Sequence, residues 1–500
     1  MDNVFDFRNR LINEYSSFSR SFSKVSAQDI LTAVEQEYDR GRYWPEPLIQ
    51  INPNYKRQGT VQQLVEQAVL HPHCADIFRT GKTEGKPADL HLYVHQLQAL
   101  AKAQTRQSYV VTTGTGSGKS LAFFVPIIDR ILKAKQADPQ KRTRAIVIYP
   151  MNALANSQLE ELDKFLHGYP DDQKPFTVAR YTGQESETDR KQIADNPPDI
   201  LLTNFMMLEL ILTRFEDVDR RVVEHCQGLE FLVLDELHTY RGRQGADVAL
   251  LVRRLRERLQ AHQLVCIGTS ATMSSTGTQA DRNQTVATVA SLLFGAQITE
   301  HDVIGETLER VTNPAKNIQA VKSFLKPALL KERHQWPDFA AFSDDSLAVW
   351  VELSLGIELP VDEPPRRARP ITLGDAARRL ADDAQCTLEE ASAGLQRFLV
   401  AAHDVKTPQG RAPFAFKLHQ FISGPGKVLA TLEPEGVRHI TLDAQRYAPG
   451  RQDEGTQLYP VHFCRDCGQE YHPVWRTGQS QAEYAPREID DISGDDDENA

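Results

Sequence analysis

Basic residues are in the minority in this chain. Lys and Arg number 57 against 68 Asp and Glu, a formal net charge of −11. That excludes a uniformly basic coat, the simplest footprint of a nucleic-acid binder. The deficit is uneven, however. Glu488 to Ala500 holds seven acidic residues and no basic one, and without that stretch the balance is −11 + 7 = −4. A basic face on one side of the molecule therefore stays open. Cysteine is also sparse: there are six, and only Cys464 and Cys467 are close together. That excludes a disulfide framework and suits a reducing cytoplasm. No apolar run is long enough to cross a membrane. The first residues, MDNVFDFRNRL, are charged from the second position and lack the apolar core of a secretory signal. There are no internal repeats.

What is present is an ordinary globular composition, 40% hydrophobic and 25% charged, long enough for about three domains. Residues 1–90 read as a helical N-terminal accessory domain. Within it, Ser26-Ala27-Gln28-Asp29 marks a helix start, and Trp44-Pro45-Glu46-Pro47 is an extended loop. Over 91–305 short β-branched runs alternate with amphipathic segments: Tyr109–Thr112, Ala145–Tyr149, Ile200–Thr203, Phe231–Leu234 and Val265–Gly268 are the strands, Leu121–Lys135 and Asp247–Gln260 the clearest helices. Such alternation predicts a parallel sheet covered on both faces. Residues 306–410 read as a mostly helical insertion, with a linker at Pro364–Pro370 and a capping box at Thr387 and Glu390. Residues 411–485 turn to strands and carry the Cys-x-x-Cys pair. Residues 486–500 form an acidic tail of disordered composition.

The strongest chemical signal is Thr113-Gly114-Thr115-Gly116-Ser117-Gly118-Lys119-Ser120, after an apolar strand and before an apolar-faced helix. Glycines let backbone N–H groups turn onto phosphate oxygens, and the helix N-terminus adds positive potential. Lys119 reaches the terminal phosphates and the Ser120 hydroxyl binds Mg. A chance glycine-rich turn is the bland alternative, and the flanking strand and helix argue against it. Phe231-Leu232-Val233-Leu234-Asp235-Glu236-Leu237-His238 supplies the matching half. Asp235 holds Mg through water and Glu236 polarises the attacking water. An Asp-Glu pair after a strand is weak alone, but strong beside such a loop.

Asp235-Glu236-Leu237-His238 resembles the DEAD/DEAH-box signature of superfamily 2 helicases, and that family's other motifs follow in order over roughly residues 90–300. The resemblance assigns Gln96 to adenine. It assigns Pro150 and Asn152, Thr182 and Gly183, and Thr203 and Asn204 to the nucleic-acid backbone. Ser270-Ala271-Thr272 couples hydrolysis to movement, and His238 joins Lys119, Asp235 and Glu236 as catalytic. Thr113 departs from the glycine or alanine that normally opens the loop. The implied fold is α/β, a RecA-like parallel sheet flanked by helices, with a helical N-terminal domain and a mixed α+β C-terminal region. The implied cofactors are ATP and Mg, and the implied partner is nucleic acid. Tyr240-Arg241-Gly242 narrows the resemblance to large bacterial helicases with a cysteine-bearing C-terminal domain. These include DNA-repair helicases and motors of Druantia- and DISARM-type phage defence, and the Trp44-Pro45-Glu46-Pro47 preface is similar to the defence members. A defence-system protein is then a partner. Arg241 and Arg243 lie either near nucleic acid or in a solvated loop.

His462-Phe463-Cys464-Arg465-Asp466-Cys467-Gly468 holds half a zinc knuckle. Zinc wants four ligands, and His462 and His472 stand near at no standard spacing. Three readings remain: a zinc site completed elsewhere, which a cysteine pair in similar helicases favours, two reduced thiols, or a redox dithiol. A complete motor of this family also needs a second RecA-like domain, with an arginine finger in Gln-x-x-Gly-Arg-x-Gly-Arg. Residues 300–500 contain no such motif. The expectation is the N-terminal portion of a longer DNA helicase or translocase, binding ATP but hydrolysing it slowly alone. An RNA helicase and an ATP-switched scaffold are the alternatives.

Overall fold

A computed structural model describes residues 3–21, 24–114, 116–271, 278–360, 363–408, 410–424, 426–453, 455–477 and 483–491. Its contacts gather the five expected segments into two compact units. One comprises 54–309 and 359–365, the other 1–53, 310–358 and 366–500.

The first unit is built on a seven-stranded sheet. Its strands are β1 (Tyr109–Thr112), β2 (Ala145–Tyr149), β3 (Val178–Tyr181), β4 (Ile200–Asn204), β5 (Phe231–Leu234), β6 (Val265–Ser270) and β7 (Val303–Gly305). They run in the order β7-β1-β6-β5-β2-β4-β3, every pair parallel. This is the RecA-like arrangement. Tyr109, Val111, Val147, Leu202 and Val233 pack into one core, while Val110, Ile146, Ile148, Leu201 and Leu232 pack into the other. Successive side chains of a strand point to opposite faces, so strands covered on both sides are apolar throughout. The five strands foreseen from the pattern are the inner ones. β3 and β7, which the pattern does not announce, are the two edges, where one side is open and polar residues such as Arg180 are tolerated. The helices named below are α1 (Val94–Gln104), α2 (Leu121–Ala137), α3 (Asn152–Leu166), α4 (Glu187–Asp195), α5 (Phe205–Thr213), α6 (Asp217–His225), α7 (Gly242–Arg258) and α8 (Gln279–Phe294).

In the second unit, Leu48–Asn52 pairs antiparallel with Ala415–His419 and with Ile371–Thr372. That pairing explains why residues 1–53 group with the C-terminal half rather than forming an N-terminal domain with 54–90. Helices Ile318–Leu329, Ser346–Val351, Leu373–Ala384 and Leu388–Asp404 close around the fully buried Trp350. Thr387 and Glu390 form the foreseen capping box. Two local expectations change. Arg366–Arg367, placed in a linker, pairs with Ile357–Glu358. The helix after Ser26 begins as foreseen, but its N-cap is Ala27, and the Ser26 hydroxyl donates to the Cys467 carbonyl at 2.7 Å. Of the acidic tail, 492–500 lies outside the described residues.

One buried contact ties β1 to the helix that follows the glycine-rich loop. Pro126 stands inside α2 and has no N–H to donate to the Ala122 carbonyl four residues back. The Tyr109 hydroxyl of β1 donates to that carbonyl at 2.8 Å. Tyr109→Phe leaves the carbonyl unpaired in the core and costs about 1–3 kcal/mol, measured as a lower midpoint in thermal or urea unfolding. Adding Pro126→Ala returns an N–H and recovers part of the loss. An unchanged midpoint in Tyr109→Phe would refute this account.

Candidate functional site

The loop between β1 and α2 is braced from within and from α1. The Thr113 and Ser117 hydroxyls lie 2.6 Å apart, both residues buried. The departure at Thr113 thus closes the loop with a hydroxyl pair that glycine or alanine cannot make. Gly116 and Gly118 have φ of 78° and 66°, a region that L side chains avoid. A Cβ on Gly118 would lie 2.7 Å from Gln96 Nε2. Gln96 donates from Nε2 to the Gly118 carbonyl at 2.8 Å and accepts the Tyr93 N–H on Oε1 at 2.8 Å. Each end of the amide assigned to adenine thus makes one bond to the protein, and the amide keeps one donor and one lone pair. The neighbouring His95, fully buried, pairs its Nε2 with the Ser117 carbonyl at 3.0 Å. Gly114 donates its N–H to Glu306 at 3.0 Å. Thr115 lies outside the described residues.

Asp235 and Glu236 follow β5 at the same edge of the sheet. Glu236 has φ 53° and ψ 57°, a left-handed conformation costly for a residue with a side chain and typical of functional turns. Its Oε1 lies 3.5 Å from Lys119 Nζ, and its Oε2 lies 3.2 Å from His238 Nδ1. Thr269, on β6, links the pair: its hydroxyl donates to Asp235 Oδ1 and accepts the Glu236 N–H at 3.2 Å. Burial raises the Asp235 carboxyl above its usual value. The Thr269 hydrogen bond and Lys119 oppose the shift, and the Glu236 charge adds to it. Ser270 Oγ lies 3.4 Å from His238 Nδ1, so His238 stands between the Asp-Glu segment and the end of β6. Of the coupling motif, Ser270 and Ala271 are described and Thr272 is not.

This set fits a magnesium-bound nucleotide. Lys119 Nζ and Glu236 Oε2 are buried without a hydrogen-bond partner, Ser120 stands at the N-cap of α2, and Asp235 adds a carboxylate. Hard oxygen ligands and one ammonium are the donors that magnesium and phosphate ask for.

The three expected nucleic-acid loops meet at one side chain. Asn204, at the end of β4, donates from Nδ2 to Asn152 Oδ1 at 2.7 Å and to the Thr182 carbonyl at 3.0 Å. Its Oδ1 accepts the Met207 N–H at 2.7 Å, capping α5. Thr203 is buried and donates its hydroxyl to the Tyr181 carbonyl at 2.6 Å, so it serves the sheet rather than the surface. Pro150 precedes α3, and Met151 beside it is exposed. Pattern reading missed Thr269, although it immediately precedes Ser270. It also missed Glu185, which holds the Thr182–Gly183 turn. Neither belongs to a recognised signature. Arg241 and Arg243 are exposed at the start of α7, next to a buried Tyr240. Val248, Leu251, Val252 and Leu255 of α7 face the core, whereas Leu250 is exposed.

Cys464 and Cys467 are free thiols, and so are the other four cysteines. Backbone hydrogen bonds at Cys467 and Asp466 bring the Cys464 thiol below its ordinary value. Among the described residues no group of three or more His, Cys, Asp or Glu could hold a metal ion. No helix among them is long and apolar enough to cross a membrane.

Residues 93–280 match the DEAD/DEAH box helicase family. The chain is 33% identical over 186 residues to the uncharacterized ATP-dependent helicase YprA of Bacillus subtilis, covering 37% of this chain and 23% of that protein. It is 30% identical over 225 residues to the ATP-dependent helicase HRQ1 of Saccharomyces cerevisiae, covering 41% of this chain and 20% of that one. To the Druantia protein DruE of Escherichia coli it is 26% identical over 293 residues, covering 37% and 16%. The chain thus spans less than a quarter of each of these relatives. The segment that carries this site, residues 93–280, is similar to the DEAD/DEAH box helicases.

Proposed function

We propose that this chain is the ATP-binding part of a DNA helicase or translocase that works in the cytoplasm, in anti-phage defence or DNA repair, beside a defence-system partner protein. The observation that carries the reading is the shared edge of one sheet: Lys119, Asp235 and Glu236 lie at one part of it, and the Asn152–Thr182–Asn204 network at another. Likeness to a Druantia protein favours defence. Asp-Glu-Leu-His in place of Asp-Glu-Ala-Asp, and Thr203-Asn204-Phe205 where RNA helicases carry Thr-Pro, favour DNA over RNA. Six free cysteines suit the cytoplasm. Zinc at Cys464 and Cys467 would need two ligands beyond this pair.

Bound magnesium neutralises phosphate charge and orients the nucleotide. Ser120 and Asp235 would hold the metal, and Lys119 would meet the terminal phosphates. Glu236, held in its left-handed turn, orients the attacking water and takes its proton. Thr269 ties the Asp235 carboxylate to the Glu236 backbone. His238 passes a change at Glu236 to Ser270 and so to the end of β6. Gln96 holds the loop in shape through Gly118 and Tyr93, and its second N–H and second lone pair would read adenine. Asn204 keeps three backbone-contacting loops in one arrangement, so they grip phosphates without reading sequence.

Single-turnover hydrolysis by the chain alone is slow, because no arginine-finger motif is present and such a residue contributes about 10³–10⁵ in rate. Glu236→Gln retains ATP binding and loses about a further 10²-fold. A wild-type rate equal to that of a complete motor would defeat the half-site reading. Magnesium needs Asp235 ionised, so Mg-dependent ATP binding weakens as pH falls, at higher pH than an ordinary aspartate would give. Thr269→Val removes a hydrogen bond that favours the charged form and moves this acid limb to still higher pH. A titration with an unmoved limb would sink that assignment. Asn204→Ala lowers affinity for single-stranded DNA about fivefold, the effect of about 1 kcal/mol, with ATP affinity unchanged. RNA of the same sequence binds the wild-type chain less tightly, and equal or tighter RNA binding overturns the DNA preference.

A further inference from the structure

The turn after β3 already holds an anion of its own. Glu185, its side chain only 5% exposed, accepts the N–H groups of Thr182 at 2.7 Å and Gly183 at 2.9 Å, and the Thr182 hydroxyl at 3.0 Å. Arg180 donates its Nε to the same carboxylate at 2.6 Å. Two successive backbone N–H groups, a hydroxyl and a guanidinium form an anion-binding concavity, and a nucleic-acid phosphate asks for the same donors. Burial disfavours the charge, yet the hydrogen bonds from Thr182 and Arg180 outweigh it and hold the carboxyl below its usual range. The turn also has support independent of Glu185. Asn204 Nδ2 holds the Thr182 carbonyl at 3.0 Å, Thr203 holds that of Tyr181, and Gly183 is solvent-exposed with φ 88°.

We propose that Glu185 stands in for a backbone phosphate: an entering strand displaces its carboxylate from the Thr182 and Gly183 N–H groups, seats a phosphate there, and pairs that phosphate with Arg180. The proposal rests on the nucleic-acid reading above and deepens it. Glu185 then weakens the grip on the strand by competing for one phosphate position, and it returns to the turn when the strand leaves. A group that holds and releases in turn suits a chain that must not stay fixed to one phosphate.

The test measures binding of a fluorescent single-stranded oligonucleotide to the full chain over a range of salt, without nucleotide. Glu185→Gln, equal in shape and uncharged, binds about fivefold to tenfold tighter. Its slope of log affinity against log salt steepens by about 0.7, the value for one more phosphate neutralised on a single strand. Glu185→Asp keeps the charge but reaches less far, so it gives a smaller gain and no steeper slope. Arg180→Gln added to Glu185→Gln abolishes the gain. Melting curves of all variants confirm folding, and Glu185→Asp carries the test if Glu185→Gln does not fold. Equal or weaker binding by the folded Glu185 variants, with the wild type binding normally, overturns this inference and leaves the nucleic-acid reading standing. Absence of binding by every protein overturns both. Inorganic phosphate at matched ionic strength displaces the strand poorly; displacement by it at micromolar concentration would assign the turn to a free anion and overturn the proposal.

Discussion

In a parallel sheet every strand delivers its C-terminal residue to the same edge, and in this chain that edge carries the chemistry. The loop after β1, Thr269 and Ser270 at the end of β6, and the Asp-Glu pair after β5 lie side by side because their strands do, and Asn204 at the end of β4 stands one strand, β2, further along the same edge. Apolar burial on both faces enforces the arrangement. A strand displaced by one residue would turn its side chains to the wrong core.

The half of the edge proposed to hold ATP is fixed by hydroxyl groups as much as by charges. Asp235, Glu236 and Lys119 are largely buried together, an arrangement that is costly unless the groups are mutually satisfied. Thr269 lowers that cost by serving both carboxylate residues at once, one through its hydroxyl hydrogen and one through its oxygen. Thr113 and Ser117 do the same inside the phosphate loop. The unusual first residue of that loop is accordingly part of its bracing. Glu236 retains a strained backbone, and its second oxygen, with the ammonium of Lys119, is left without a hydrogen bond.

The half proposed to hold nucleic acid works on a different principle. Asn204, neutral and short, spends its whole amide on joining three loops, while Glu185 and Arg180 place opposite charges at the turn after β3. Rigidity comes from the amide and adjustability from the ion pair. His238 and Ser270 approach each other between the Asp-Glu segment and β6, where a change in one half can be felt along the sheet.

The sequence by itself determined the inner strands, the phosphate loop and the Asp-Glu pair. These are local: a strand buried on both sides must be an unbroken apolar run, and a phosphate loop needs its glycines, lysine and serine within eight consecutive positions. Tertiary structure decided what depends on who lies beside whom. Thr269 reaches Asp235 only because Leu234 and Gly268 are paired in register. Asn204 reaches Asn152 because β4 lies against β2. β3 was hidden because an edge strand tolerates polar residues such as Arg180, and β7 because it is only three residues long, Val303–Gly305. Leu48 meets His419 across most of the chain, and no composition window could show that a segment read as N-terminal belongs with residues near the other end.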